Sequence, residues 1–186
     1  MTTNRTKLTA VALSGLLLSA CGGSGDETPP TPAVTAVTAQ QACAALSGKT
    51  IAGATLSAVA VAASAAVPTY CKVNGTIAPS LNFEMRLPDA WNGKLYYGGG
   101  GGYDGSIPAL SLPALTQGYA TVASDSGHRG SALSASFALT DTFAAQLFGS
   151  LSVPTVMSTA LESVTAAYGV PPSKSYFEGC SNGGRE

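Results

Sequence analysis

Gly179-Cys180-Ser181-Asn182-Gly183 is a literal G-x-S-x-G, and it follows directly on KSYFE, a short aromatic stretch that reads as a β-strand. In that arrangement a serine occupies a sharp strand-to-helix turn. Small residues on either side let the neighbouring backbone pass close, so the hydroxyl stands above the sheet edge as a nucleophile. The chemistry this permits is acyl transfer from an ester. That reaction needs N–H groups to hold the negative oxygen of a tetrahedral intermediate, one from the residue after the nucleophile and one from a loop after an earlier strand. Asn182 stands at the first position, and the five glycines Gly98–Gly102 form a loop of the second kind, two strands upstream.

Other chemistries compete for these residues. A glycine-rich loop also cradles phosphates, but no Gly-Lys-Ser/Thr follows this one, and G-x-G-x-x-G needs a different strand and helix context. Cys180 could itself be the reactive group, as a thiol nucleophile or redox sensor. It would then need a nearby cation to favour the thiolate, and Arg185 is the only close one in sequence. His128, the single histidine, is a tempting base. In α/β-hydrolases, however, the order is Ser, then acid, then His, whereas Asp125 and His128 both precede Ser181. The two read as turn-fixing residues of a D-S-G-H loop, outside the triad.

These residues must be carried by a folded core, and the composition allows one. With 186 residues, 45% hydrophobic and only 10% charged, the chain has enough apolar surface for one ordinary globular unit. The net charge of −1 is scattered, so no basic stripe is available for a phosphate backbone, and nucleic acid is excluded as a partner. AQQACAALSGKTIAG predicts a short helix ending near Gly48, and the Ala-rich sequence from there to Val67 carries little signal. CKVNGTIAP and LNFEMRLP alternate apolar and polar residues and predict two antiparallel strands. KLYYGGGGG predicts a strand running into the glycine loop. Beyond it come a short helix from near Pro113 to Gly118, a buried strand over Tyr119–Ser124, mixed loop and helix over Ala132–Phe148, a helix over Val156–Tyr168 stopped by Gly169 and Pro171, and the KSYFEG strand. Strand, helix, strand, helix, strand in that order predicts parallel strands with helical crossovers.

The N-terminus has another character. A basic start with Arg5 and Lys7, an apolar run too short to span a bilayer as a mature helix, and then Cys21 give the layout of a secretory signal over residues 1–20. Leu18-Ser19-Ala20-Cys21 resembles a bacterial lipobox, which makes Cys21 the acylated residue and the membrane a partner only through that lipid. Residues 21–39, rich in Gly, Pro and Thr, read as a flexible tether, and residues 40–186 as the catalytic part. Export implies an oxidising compartment, periplasmic or at the outer membrane, or fully secreted. Three cysteines then remain, an odd number. Cys43 and Cys71 are close enough in sequence to staple the start of the folded part.

From about residue 40 onward, WNGKLYYGGGGGYDGS, the strand ending in ASDSGH, and SYFEGCSNGGRE together resemble the tannase and feruloyl esterase family, α/β-hydrolases that include mono(2-hydroxyethyl) terephthalate hydrolase. The cysteine just before the nucleophile, in G-C-S-x-G-G-R, is the most specific part. The resemblance implies that Ser181 is the acyl-forming nucleophile, that the N–H groups of Asn182 and Gly99 receive the oxyanion, and that Cys43 and Cys71 form an N-terminal structural disulfide. It also implies that Cys180 pairs with a cysteine beside the catalytic histidine, which these residues do not contain. The substrate implied is a small ester of an aromatic or phenolic acid.

The expectation is thus the N-terminal portion of an α/β-hydrolase core. No acid, base or helix is expected after the elbow, and no cofactor within these residues. In the resemblance, a later lid holds a calcium ion. Without acid and base the 186 residues would be nearly inert, and the alternative is an inactive surface lipoprotein with a binding or structural role.

Overall fold

The computed structural model describes residues 36–186. The predicted signal segment, the lipidation site at Cys21 and most of the predicted tether lie outside the described residues. No helix among the described residues is long and apolar enough to cross a membrane.

The first helix, α1 (Ala39–Leu46), opens with a capping box: the Thr38 hydroxyl accepts from the Gln41 N–H while the Gln41 side chain accepts from the Thr38 N–H. This satisfies two backbone donors that a helix start leaves without partners. Its buried face, Ala39, Ala42, Cys43 and Leu46, follows the i, i+3, i+4 spacing of an amphipathic helix. Cys43 on this face is bonded to Cys71 on the sheet, with Cα atoms 5.4 Å apart.

Seven strands form one sheet in the order β1-β2-β3-β4-β6-β5-β7. β1 (Thr50–Ile51), β2 (Ala54–Val61), β3 (Tyr70–Ile77) and β4 (Leu81–Pro88) run antiparallel in succession. β6 (Ala120–Ser124) pairs antiparallel with β4, while β5 (Lys94–Gly98) pairs parallel with both β6 and β7 (Lys174–Glu178). The predicted antiparallel pair and the predicted parallel strands are thus both present. β1 and β2, by contrast, fall in sequence that carried little signal. β2 is ATLSAVAV, and its three alanines and one serine lack the branched or aromatic bulk that marks a half-buried strand. Its place comes from the eight-residue register against β3, Ala54 opposite Ile77 through Val61 opposite Tyr70.

β6 is buried along its whole length, as expected of a strand covered on both faces. The helix α2 (Leu112–Thr116) makes the crossover from β5 to β6. The crossover from β6 to β7 passes through α3 (Phe137–Thr140), α4 (Thr142–Gln146), a π-helical turn (Leu147–Leu151) and α5 (Ser152–Tyr168). α5 buries Val156, Ala160, Val164, Ala167 and Tyr168, three or four residues apart, against the sheet and α1. Tyr168 at its end stacks on Trp91, ring centroids 4.2 Å apart, and donates its hydroxyl to the Pro88 carbonyl at 2.8 Å.

The strand order carries a functional consequence. From β5 the chain moves to one side to make β6, then returns across the sheet to lay β7 on the other side of β5. This reversal leaves a crevice at the carboxyl ends of β5 and β7, the place where open α/β sheets bind ligands. Gly98 faces Glu178 in register, so the glycine loop and the serine turn leave the sheet side by side. β7 is exposed at every position, and among the described residues its outer edge has no partner, leaving Tyr176 and Phe177 open to solvent.

The disulfide closes a loop of 28 residues and, through loop entropy, contributes about 3–4 kcal/mol. Replacing both Cys43 and Cys71 by Ser in the full-length protein is expected to lower its urea-unfolding free energy by roughly that amount. An unchanged midpoint would show that the bond does not constrain the unfolded chain.

Candidate active site

Ser181 adopts φ 56° and ψ −120°, a backbone conformation that a side chain-bearing residue enters only at a cost of order 1–3 kcal/mol. Its neighbours show why the turn holds. A Cβ on Gly179 would drive into the Gly183 carbonyl, and one on Gly183 would lie 2.9 Å from the carbonyl carbon of Gly99. The flanking glycines of the motif therefore admit three backbone segments to one crossing point. Contrary to the expectation of no helix after the elbow, one turn of helix, α6 (Asn182–Arg185), begins immediately after Ser181. Asn182 is its first residue, so its backbone N–H is one that a helix start leaves without an intrahelical partner. Ser181 itself is exposed.

The glycine loop is bonded to this turn. Gly183 N–H donates to the Gly100 carbonyl at 3.0 Å, and Gly99 N–H donates to the Glu178 carbonyl at 2.8 Å. The second bond corrects the sequence-based assignment of Gly99 as an oxyanion donor: the parallel ladder between β5 and β7 extends one residue further than the strand bounds and takes its N–H. Gly100 N–H is also engaged, donating to Glu186 Oε2 at 3.0 Å. Gly101 is the next in line; it is exposed, and a Cβ there would meet no atom within 4 Å.

Beneath the loop lies a polar cluster that sequence reasoning missed. Asp104 is 2% exposed and Ser126 1% exposed, and both, like Ser181, have positive φ. The Ser126 hydroxyl is 2.7 Å from Asp104 Oδ2 and 2.9 Å from Glu186 Oε1. Asn182 Nδ2 donates to Asp104 Oδ1 at 2.7 Å and to Glu186 Oε1 at 3.0 Å. Burial pushes the Asp104 carboxyl above its usual range, and the neighbouring Glu186 charge adds to this, while the hydrogen bonds from Ser126 and Asn182 and the Arg185 charge act the other way. The only signal in the sequence was local: Asp104 sits in Y-D-G directly after the glycines, and Ser126 inside D-S-G-H.

Asp125 and His128 hold the loop they belong to. The Asp125 carboxylate accepts from Asn82 N–H, Asn82 Nδ2 and Gly127 N–H at 2.7–3.0 Å. His128 Nε2 is 2.8 Å from the Tyr103 carbonyl, which makes it the protonated ring nitrogen, and the ring stacks on Phe137 with centroids 3.6 Å apart. Cys180 is exposed and has no disulfide partner among the described residues. Arg185, the cation a reactive thiol would need, directs its guanidinium to Asn182 Oδ1 and to the Phe148 and Gly149 carbonyls, and lies over the Phe148 ring. Among the described residues no three His, Cys, Asp or Glu side chains gather to hold a metal ion.

Residues 64–186 match the family described as Tannase and feruloyl esterase. The chain is 42% identical over 134 residues to an uncharacterized esterase of Agrobacterium fabrum, covering 63% of this chain and 24% of that protein. It is 34% identical over 152 residues to mono(2-hydroxyethyl) terephthalate hydrolase of Piscinibacter sakaiensis, covering 69% and 25%. The chain thus spans about a quarter of the length of these relatives. Among solved structures, the fold is similar to that of feruloyl esterase B from Aspergillus oryzae, with TM-score 0.65 and 24% identity over 79% of this chain and 33% of that one.

The crowding at the elbow yields a direct test in the full-length protein. Gly179→Ala is expected to lose roughly 1–3 kcal/mol from backbone overpacking. Gly184→Ala, whose Cβ would sit 3.6 Å from the Gly179 carbonyl, is expected to change stability by under about 1 kcal/mol in a helical position. Equal thermal midpoints for the two variants would contradict the crossing-point account.

Proposed function

Because the chain belongs to the tannase and feruloyl esterase family, we propose that the complete protein is a serine carboxylic-ester hydrolase acting on esters of aromatic or phenolic acids. The observation that carries this reading is the strained Ser181 turn, φ 56°, seated beside a glycine loop at the sheet's switch point. Ser181 Oγ attacks the ester carbonyl and forms an acyl-serine, and the alcohol leaves. Water then attacks the acyl carbon and releases the acid. The Asn182 N–H, together with that of Gly101 in place of Gly99, receives the oxyanion in both half-reactions.

The proton carried by Ser181 Oγ requires a base that Asp125 and His128 do not supply: the Asp125 carboxylate accepts from Asn82 and Gly127, His128 Nε2 is bonded to the Tyr103 carbonyl, and His128 Nδ1 is buried without a partner. In this reading the base and its orienting acid come from the part of the protein corresponding to the three quarters of its relatives that this chain does not span. Residues 1–186 alone are then nearly inert. The aromatic character of the acyl group is supported by the names of two relatives, mono(2-hydroxyethyl) terephthalate hydrolase and a probable feruloyl esterase of Aspergillus flavus that is 36% identical over 108 residues. The Leu18-Ser19-Ala20-Cys21 pattern supports export with a lipid on Cys21.

In the full-length protein, a fluorophosphonate is expected to label Ser181, and Ser181→Ala to lower hydrolysis of aromatic-acid esters by at least about 10⁴-fold. Absence of labelling would favour the inactive lipoprotein. Faster hydrolysis of short aliphatic esters than of aromatic ones would leave the nucleophile standing but overturn the substrate class.

A further inference from the structure

Counting hydrogens in the cluster beneath the glycine loop shows an imbalance. Five contacts link Asp104 and Glu186 to their surroundings: Ser126 to each carboxyl, Asn182 Nδ2 to each carboxyl, and Gly100 N–H to Glu186. The donors hold four hydrogens, one on Ser126 Oγ, two on Asn182 Nδ2 and one on the Gly100 nitrogen. The Asn182 amide cannot be turned round to change the count, because its Oδ1 accepts from Arg185 Nε at 2.8 Å. Two ionised carboxylates would therefore leave one 2.7–2.9 Å oxygen–oxygen contact at Ser126 without a hydrogen. Oxygen atoms with no hydrogen between them repel at that distance, and a negative charge on the buried Asp104 beside that of the half-buried Glu186 adds to the penalty.

We propose that Asp104 and Glu186 hold one proton between them, with Asp104 as the neutral acid and Glu186 as the carboxylate, and that this pair is a positioning device for the oxyanion-binding backbone. Asp104 Oδ2–H donates to Ser126 Oγ, and Ser126 Oγ–H donates to Glu186 Oε1. Asp104 Oδ1 accepts from Asn182, and both Glu186 oxygens meet only donors. All five contacts are then satisfied with one negative charge instead of two.

The pair acts through what it holds. Glu186 anchors Gly100 N–H and so sets the course of the glycine loop, while both carboxyls grip the side chain of Asn182, whose own N–H faces the reaction. A second negative charge at this place would loosen the cluster and oppose the negative oxygen that forms in front of it. The remaining titratable and charged groups about Asp104 are Arg185, the Tyr97 phenol, Asp125 and His128. Burial of Asp104, 2% exposed, acts in the same direction as the geometry, raising its pKa with Glu186 contributing. A carboxyl whose pKa is higher in the folded than in the unfolded chain binds its proton more tightly when folded. Its contribution is therefore complete at low pH and lost as pH rises through the folded value.

The catalytic consequence rests on the esterase reading, but the protonation does not, and the test separates them. In the full-length protein and in its Ser181→Ala variant, difference infrared spectra taken during a pH titration are expected to show the C=O stretch of a neutral carboxylic acid at pH 7 that disappears as pH rises and is missing from Asp104→Asn. Fluorophosphonate labelling of Ser181 is expected to fall at alkaline pH in the wild type without the same fall in Asp104→Asn. Asp104→Asn, which copies the neutral acid's donor and acceptor, is expected to label at least about tenfold faster than Asp104→Ala. No neutral-acid band in the wild type, or parallel pH profiles for wild type and Asp104→Asn, would overturn the proposal in favour of a hydroxyl hydrogen shared between two carboxylates. A wild type that shows the band but labels no faster than Ser181→Ala would overturn the esterase reading and leave the protonated pair standing.

Discussion

Three backbone segments meet at one point: the turn into Ser181 at Gly179, the first turn of α6 at Gly183, and the loop leaving β5 at Gly99. No side chain fits there, and this close approach governs the rest of the site. Because Gly183 passes against Gly99, its N–H reaches the Gly100 carbonyl, and the glycine loop becomes part of the same unit as the Ser181 turn. A hydroxyl aimed above a sheet edge is useful only if the groups that stabilise the developing charge are held relative to it. Here the holding is done by main-chain atoms, which carry no rotamer freedom.

The sheet makes this meeting possible through its order. Placing β6 and β7 on opposite sides of β5 brings the carboxyl ends of β5 and β7 together, although 80 residues separate Lys94 from Lys174, which face each other in register. The antiparallel half, stapled to α1 through Cys43 and Cys71, forms the platform on which β6 is covered from both faces. The outer half is different: β7, exposed along its length, leads into the Ser181 turn from the least protected strand of the sheet. Polar bonds compensate for this, since Arg185 ties α6 to the carbonyls of the π-helical turn while Asp104, Ser126 and Glu186 tie it to two loops.

That cluster also changes how the site is read electrostatically. In the proposed reaction an oxyanion forms in front of Asn182, and behind Asn182 lie two carboxyls. The proposed shared proton makes the two compatible and gives Asn182 two functions in one residue: its N–H serves the proposed reaction while its side chain is clamped from below.

Much of this was written locally in the chain. G-C-S-N-G after a strand located the tight turn at Ser181, because the requirement for small neighbours acts within a few residues, and hydrophobic spacing located α5 because one helix face must be apolar wherever it packs. β2 escaped such reading, since its alanines acquire a strand conformation only from pairing with β3. The oxyanion assignment to Gly99 failed for a related reason. Which of five consecutive glycines keeps a free N–H depends on where the β5–β7 ladder stops and on where Glu186 lands, and neither is a property of the glycines. Asp104, Ser126, Asn182, Glu186 and Gly100 come together across separations of up to 86 residues. The sequence alone determined the tight turn at Ser181, because its constraint is steric and local; only the tertiary structure decided which N–H groups and carboxyls surround it, because hydrogen-bond satisfaction is settled between segments that meet only after the chain has folded.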